Sequence, residues 1–200
     1  MAQEPVTFST SYGATALTPE EEADLVADVS NQQDLNEWER QNILAAASWA
    51  LDSRRFSLRD PLEEAYVRDL HRHMFDQTWK WAGQYRMIEK NIGVAPYQIR
   101  EEVAKLLGDI RFWVDNSVYG TDEIGVRLHH RLVSVHPFPN GNGRHSRLMT
   151  EVVLARLGAA PFTWGSGDLT ASGNIRNRYI TALRSADSGD INPLLSFVRT

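Results

Sequence analysis

The sequence HPFPNGNGRHSR, at residues 136–147, is the most informative stretch of the chain. Its two glycines allow backbone N–H groups to approach an anion closely. Arg144 and Arg147 lie three residues apart, so both guanidinium groups face the same side of the helix expected to follow. His136 carries an imidazole whose ordinary pKa, near neutrality, suits a general base. The dodecamer therefore predicts chemistry at a phosphate ester.

The segments on either side of the dodecamer predict a mainly α protein. Thr18, Pro19 and Glu21 form a strong helix-start signal. Helical spacing of apolar residues predicts helices at 99–114, 122–135, 143–157, 172–186 and 191–199. Two further helical stripes are formed by Trp38, Asn42, Ala45 and Trp49 and by Leu62, Tyr66, Leu70 and Met74.

The helical period is lost between Trp79 and Pro96. Aromatic residues and glycines dominate this segment, so we expect one small β-hairpin there. Residues 1–17 have no periodicity and are expected to form an extended arm. The helices of residues 18–59 would then precede a main domain at residues 60–200.

The composition excludes several classes of protein. The chain of 200 residues has no cysteine, which rules out disulfides, zinc–thiolate sites and a thiol nucleophile. The net charge of −5 gives no overall attraction to nucleic acid, so we expect no direct nucleic-acid partner. We also expect no membrane span and no signal peptide, because no apolar run is long enough, and we expect a cytoplasmic location.

The histidines outside position 136 are predicted to be structural. His71 and His73 lie two residues apart and therefore point to different sides of a helix. His129 and His130 are adjacent and also diverge, and the chain has no HExxH pairing that would hold zinc. His145 lies inside the dodecamer and is expected at the surface or behind the site.

The dodecamer resembles the signature of Fic-domain proteins, in which His-Pro-Phe-x-acid-Gly-Asn-Gly-Arg is followed by a second arginine. Two further segments, WKWAGQYR at 79–86 and KNIGVAPYQI at 90–99, resemble the pre-flap and flap of that family. Residues 179–197 resemble its closing helices. The nearest subgroup is the bacterial Fic proteins called mobile mystery protein B. The resemblance implies a Fic-fold helical bundle over residues 60–200, with residues 18–59 as a candidate regulatory segment.

The resemblance implies transfer of AMP from ATP to a hydroxyl group of a target protein, with release of pyrophosphate. His136 would deprotonate that hydroxyl. Arg144 would hold the β-phosphate and Arg147 would reach the γ-phosphate. The anion hole for the α-phosphate would consist of Gly141, Asn142 and Gly143.

The resemblance also assigns residues around the nucleotide and names the classes of partner. Asn91 and Ile92 of the flap would border the nucleotide, and residues 90–98 would align the target protein by β-strand pairing. Contacts to adenine and ribose are expected from Tyr179, Ile180 and Asp187. A small antitoxin-like partner and a homo-oligomer are further candidates.

One position departs from the family signature, because Asn140 stands where the acid is expected. The family's carboxylate holds Mg²⁺, whereas an amide oxygen can ligate the metal but brings no charge. Two alternatives therefore stay open: a nucleotide-binding or toxin-like module with weak or no AMP transfer, and transfer of another nucleotide or of a phosphate group.

Self-inhibition is the last expectation drawn from the resemblance. Many Fic proteins carry a helix whose glutamate pairs with the second arginine of the signature and blocks the γ-phosphate. No clean match to that helix is present here, because Ser30 is followed four residues later by Asp34. Glu37 or Glu39 is the candidate for this inhibitory role.

Overall fold

A computed structural model of the protein describes residues 17–26, 28–29, 31–52, 60–167, 169 and 173–200. Within these residues the chain forms eight α-helices: α1 (Pro19–Glu22), α2 (Gln32–Leu51), α3 (Glu64–Phe75), α4 (Ile99–Asp115), α5 (Thr121–Val135), α6 (Asn142–Arg156), α7 (Asn174–Asp187) and α8 (Asn192–Phe197). Two short 3₁₀ helices occur at Pro96–Gln98 and Trp164–Ser166. The prediction of a mainly α fold is confirmed.

The first two helices begin at residues whose side chains satisfy free backbone N–H groups. Thr18 and Glu21 form the predicted reciprocal capping box of α1. The side chain of Asn31 caps α2 by accepting from the N–H groups of Gln33 and Asp34. The predicted arm at residues 1–17 lies outside the described residues, apart from Leu17.

Helix α6 runs through the centre of the bundle and packs against α2, α3 and α5. Its inner residues Met149, Val152 and Leu154 are fully buried. The main core is formed mainly by residues of the five helices α2 to α6. A second cluster packs α7 and α8 against other residues of α5 and α6. The loop that links α5 to α6 is residues 136–141, so the signature dodecamer sits on top of the main core.

The predicted β-hairpin is wrong. No strand occurs among the described residues of the segment 79–96, and Trp79 instead makes one isolated bridge with Leu25. The buried guanidinium of Arg86 donates to the carbonyls of Ile88 and Val94, one on each arm of the segment. Because a side chain satisfies carbonyls that a ladder would have used, the segment is an irregular flap.

None of the helices in the described residues combines the span and the hydropathy that a bilayer crossing requires.

Candidate active site

The loop of residues 136–141 is shaped by two residues in the left-handed conformation. His136 ends α5 with φ 52°, and Gly141 caps α6 with φ 76°. A Cβ atom at Gly141 would lie 2.5 Å from the ring of Phe75, so both the backbone angle and the space require glycine there. Phe138 is fully buried and anchors the middle of the loop.

The side chain of Asn142 closes the loop on itself. Its Oδ1 accepts the N–H of Phe138 at 2.9 Å, and its Nδ2 donates to the carbonyl of Phe138 at 2.8 Å. Asn142 therefore supports the loop with its side chain. The backbone N–H groups of Asn142, Gly143 and Arg144 open helix α6 and need acceptors from outside that helix, as at every helix start. Together with the helix dipole, they form an anion-binding position.

His136 is kept in its neutral form at pH 7. Its side chain is only 6% exposed, and burial together with the nearby Arg86 and Lys90 lowers its pKa to about 4. The imidazole is therefore neutral at pH 7, which is the form a general base needs.

The flap is fixed to the loop mainly by Arg86. Its Nε donates to the carbonyl of His136 at 2.7 Å, and its backbone N–H donates to the carbonyl of Pro137 at 2.9 Å. Gly93 lies so close that a Cβ atom there would be 2.8 Å from the Cβ of His136. Asn91 and Ile92 are exposed immediately before it.

The N-terminal helix also touches the flap. Glu21 of α1 forms a buried ion pair with Lys90. The backbone carbonyl of Glu21 accepts the indole N–H of Trp81 at 3.1 Å. Residues before the main domain thus help to hold the flap in place.

Arg144, the first arginine of the signature, is paired with Glu39 of α2. Its Nη1 lies 2.5 Å from Oε2 of Glu39, while Oε1 of the same carboxylate accepts the indole N–H of Trp79 at 2.8 Å. The guanidinium lies over the ring of Phe75. Glu37, the other candidate, pairs with Arg40 and is exposed. The expected pairing with the second arginine is wrong, because Glu39 pairs with the first.

Arg147, the second arginine, has no carboxylate partner among the described residues. Its guanidinium lies near the ring of Tyr179, and burial lowers its pKa. The hydroxyl of Tyr179 also hydrogen-bonds to Nε2 of His129 at 2.9 Å. A cation held mainly by a neutral phenol remains available to an anionic ligand.

The residues predicted to contact adenine and ribose lie on α7. Tyr179 is buried and supports Arg147, and Ile180 is half-buried in the second core cluster. Asp187 is exposed at the end of α7, and its carboxylate binds Nε2 of His130 at 2.8 Å. Their contacts with a nucleotide stay predictions.

Asn140, the predicted metal ligand, uses its polar atoms within the loop. Its Oδ1 accepts the N–H of Gly141 at 2.5 Å, and its backbone carbonyl accepts from Nε2 of His71 at 3.1 Å. In the part of the chain that the structure describes, no three acidic or histidine side chains come together in a metal-binding group.

Sequence reasoning missed two residues that hold the site together, Arg86 and His71. Arg86 is 2% exposed, although an isolated arginine in a polar segment is usually solvated. His71 is fully buried beneath the loop. Neither residue belongs to the dodecamer. The only sequence signal for Arg86 was its position at the end of segment 79–86, which resembles the pre-flap of the family.

Comparison with known proteins gives one family. The model of the Fic/DOC family matches residues 61–154. Protein adenylyltransferase Fic from Nematostella vectensis is 30% identical over 136 residues, covering 66% of this chain and 30% of that protein. The chain spans about 30% or less of the length of the adenylyltransferases it matches.

Two solved structures show the same fold. A fragment of Fic-1 from Caenorhabditis elegans superposes with a TM-score of 0.67 and 24% identity, covering 90% of this chain and 52% of that one. The N-terminal Fic domain of a cell filamentation protein from Bartonella quintana, with bound ADP, superposes with a TM-score of 0.64 and 20% identity. That match covers 88% of this chain and 87% of the other.

Proposed function

Because the chain belongs to the Fic/DOC family, we propose that it is a protein adenylyltransferase, which moves AMP from ATP to a hydroxyl side chain of a target protein. The observation that carries this proposal is a buried His136 in the loop that leads into the N-terminus of α6 and its two arginines. The relatives named adenylyltransferase and the ADP bound to the Bartonella quintana domain support the same chemistry. The dodecamer and the flap both lie within the matched residues 61–154.

The proposed reaction is a substitution at the α-phosphorus. His136 takes the proton of the target hydroxyl, and the resulting oxygen attacks the phosphorus. The bond from the α-phosphorus to the oxygen bridging to the β-phosphate breaks, so that pyrophosphate leaves with the bonding electrons. The product is a phosphodiester between AMP and the target, and the proton stays on His136 until solvent removes it.

Phosphate positions follow from the cations and the helix start. Of the three residues expected to form the anion hole, Asn142 and Gly143 would hold the α-phosphate through their N–H groups, because the N–H of Gly141 already donates to Oδ1 of Asn140. Arg144 would take the β-phosphate once Glu39 releases it, and Arg147 would take the γ-phosphate. Around the base and ribose we propose Asn91, Ile92, Tyr179, Ile180 and Asp187.

The protein side of the site does not fit a firmly held Mg²⁺. Asn140 offers one neutral oxygen that already accepts an N–H, whereas protein sites for this ion normally include a carboxylate. We therefore propose that any Mg²⁺ enters with the phosphates of ATP and is held mainly by them. No step of the reaction is assigned to it.

The target protein would bind at residues 90–98. Met87 and Tyr97 are each 86% exposed, and Ile88 and Ile92 are also exposed, so the flap offers apolar side chains to a partner. We further propose a cytoplasmic location and a small antitoxin-like partner.

Residues 18–59 would regulate this site through Glu39. The carboxylate occupies the cation that we assign to the β-phosphate, so nucleotide binding has to break the Glu39–Arg144 pair. Glu37 binds Arg40 on the outer face of α2, which makes it a suitable control and a weaker candidate.

The deciding experiment uses ATP radiolabelled at the α-phosphate or at the γ-phosphate, with a host-cell lysate. Wild type and the Glu39→Gln variant should label protein from the α position only, and His136→Ala should abolish the signal. Label from the γ position would identify phosphate transfer, and label from α-labelled UTP alone would identify UMP transfer. No label from any nucleotide in either protein would overturn the proposal.

A non-enzymatic nucleotide sensor is the second candidate, favoured by the neutral Asn140 and the occupied Arg144. Calorimetric titration with ATP separates it from the enzyme. Tight binding that does not depend on Mg²⁺, without any transfer of label, is the result expected of a sensor.

A further inference from the structure

His71 lies beneath the signature loop and links it to the start of the flap. The residue is fully buried in α3. Its Nδ1 accepts the backbone N–H of Gly83 at 3.0 Å, and its Nε2 lies 3.1 Å from the backbone carbonyl of Asn140. Its ring stacks on Phe138, with centroids 3.7 Å apart and planes 15° from parallel.

The two backbone partners determine which ring nitrogen carries the proton. A backbone N–H can only donate, so Nδ1 of His71 has to be the acceptor. A carbonyl can only accept, so Nε2 has to carry the hydrogen that reaches Asn140. The neutral Nε2–H tautomer therefore satisfies both nitrogens, and burial lowers the pKa of His71 well below its ordinary value.

The carbonyl that His71 holds belongs to the residue immediately before the anion-binding turn. Phe75, one helical turn further along α3, packs against Gly141 so closely that a Cβ atom would be 2.5 Å away. The same helix therefore fixes two consecutive loop residues, one by a hydrogen bond and one by packing. Rotation of the peptide between Asn140 and Gly141 would break the hydrogen bond to His71 and would separate Gly141 from the ring of Phe75.

We propose that His71 is a positioning residue for the anion-binding turn, acting through the hydrogen bond from its Nε2–H to the carbonyl of Asn140. The backbone N–H groups of Asn142 and Gly143 then point at a phosphate without reorganising when it binds, and such pre-organisation increases affinity and rate. The link to catalysis rests on the proposed function, whereas the orientation of the turn does not.

Two substitutions separate the hydrogen bonds of His71, and both remove the stacked ring. In His71→Gln the amide nitrogen falls near the place of Nε2 and can still donate to Asn140. In His71→Asn the shorter amide reaches only the place of Nδ1, where its oxygen can accept from Gly83. Both variants lose the stacked ring, and they retain opposite halves of the link.

Calorimetric titration with ADP should show affinity within about threefold of wild type for His71→Gln and about tenfold weaker for His71→Asn, the effect of one buried hydrogen bond. Equal losses in the two variants would show that only the ring packing matters and would overturn the proposal. Retention of ADP affinity in His71→Asn but not in His71→Gln would overturn it as well.

Amide NMR spectra of the nucleotide-free protein test the same idea without any activity. The signals of Gly141, Asn142 and Gly143 should shift in His71→Asn and stay near their wild-type positions in His71→Gln. Nitrogen-15 spectra of the wild type should show the Nε2–H tautomer of His71, and the Nδ1–H tautomer would overturn the proposal. A wild type that binds no nucleotide but gives these spectra would overturn the proposed function and leave the positioning role standing.

Discussion

Replacing Glu39 with glutamine would release Arg144 while disturbing little else. Glu39 is 6% exposed and divides its two oxygens between Arg144, at 2.5 Å, and the indole of Trp79, at 2.8 Å. Glutamine keeps a carbonyl oxygen for the indole and nearly the same volume. The substitution removes the negative charge that competes with a phosphate for the guanidinium.

The expected gain in affinity follows from the cost of breaking that pair. A hydrogen bond between charged groups contributes about 1.5–3 kcal/mol. The side chain of Arg144 is 24% exposed, so solvent screens part of the interaction and the lower end of that range applies. A competitor worth about 1.5–2 kcal/mol weakens nucleotide binding by about 10- to 30-fold, and Glu39→Gln should recover that factor.

Calorimetric titration of wild type, Glu39→Gln and Glu37→Gln with ADP measures this factor. Glu37 is the matched control, because it makes the same kind of carboxylate–arginine pair with Arg40 at the surface, away from the loop. The dissociation constant should fall only in Glu39→Gln. An unchanged constant in that variant, or an equal fall in both, would refute the view that Glu39 blocks a phosphate position.

Four other substitutions or conditions test separate parts of the site. Arg86→Met should lower the unfolding free energy by about 3 kcal/mol in urea titrations, because one buried and two partly buried carbonyls lose a charged donor. Gly141→Ala should abolish ADP binding in calorimetry while circular dichroism stays helical, since its Cβ would overlap Phe75. With a lowered pKa of about 4, His136 stays neutral as the pH falls from 8 to about 5, so kcat/KM should stay flat on this limb and decline only through about pH 4. A decline near pH 6.5 would show that His136 is not the base or is not buried during catalysis. Asn140→Asp should make nucleotide affinity depend on Mg²⁺, and identical titrations with and without the ion would contradict the account of Asn140.

Helices with one strongly apolar stripe were predictable from the sequence. Leu62, Tyr66, Leu70 and Met74 lie on the inner side of α3 or just before it, as their spacing predicts. The order of the later helices also agrees with the prediction, with bounds that differ by about two residues at most ends. Periodicity works here because each of these helices buries a continuous face.

Helix α2 shows where that reasoning fails. The predicted face included Trp38 and Ala45, but Trp38 is 43% exposed and the buried face instead includes Glu39 and Ala46. Of the two tryptophans on the predicted face, only Trp49 packs on α3, where it stacks on Tyr66 and His73. The small residues Ala46 and Ala50 are buried instead of Trp38. The rotated face matters for function, because it carries the carboxylate of Glu39 into the site.

The signature dodecamer could be interpreted because its functional residues are contiguous in the sequence. The dodecamer does not, however, build the site alone. The loop is held by the guanidinium of Arg86, the imidazole of His71 and the ring of Phe75, none of which belongs to it. Each of these contacts joins residues 50 or more positions apart, and no local pattern encodes them. Sequence patterns also predict that an arginine is exposed to solvent, which is why the buried Arg86 was overlooked.

The two arginines of the signature look equivalent in the sequence and differ in the folded protein. Arg144 is paired with a buried carboxylate from outside the matched region, whereas Arg147 rests against the neutral Tyr179. At the proposed site, a nucleotide would therefore meet one cation that is available and one that has to be released. Because the pair is made by α2, any event that moves α2 changes the affinity for the phosphate at Arg144 and leaves Arg147 as it is. Control of the proposed site would thus act on one phosphate position, and it would depend on Glu39 rather than on Asn140.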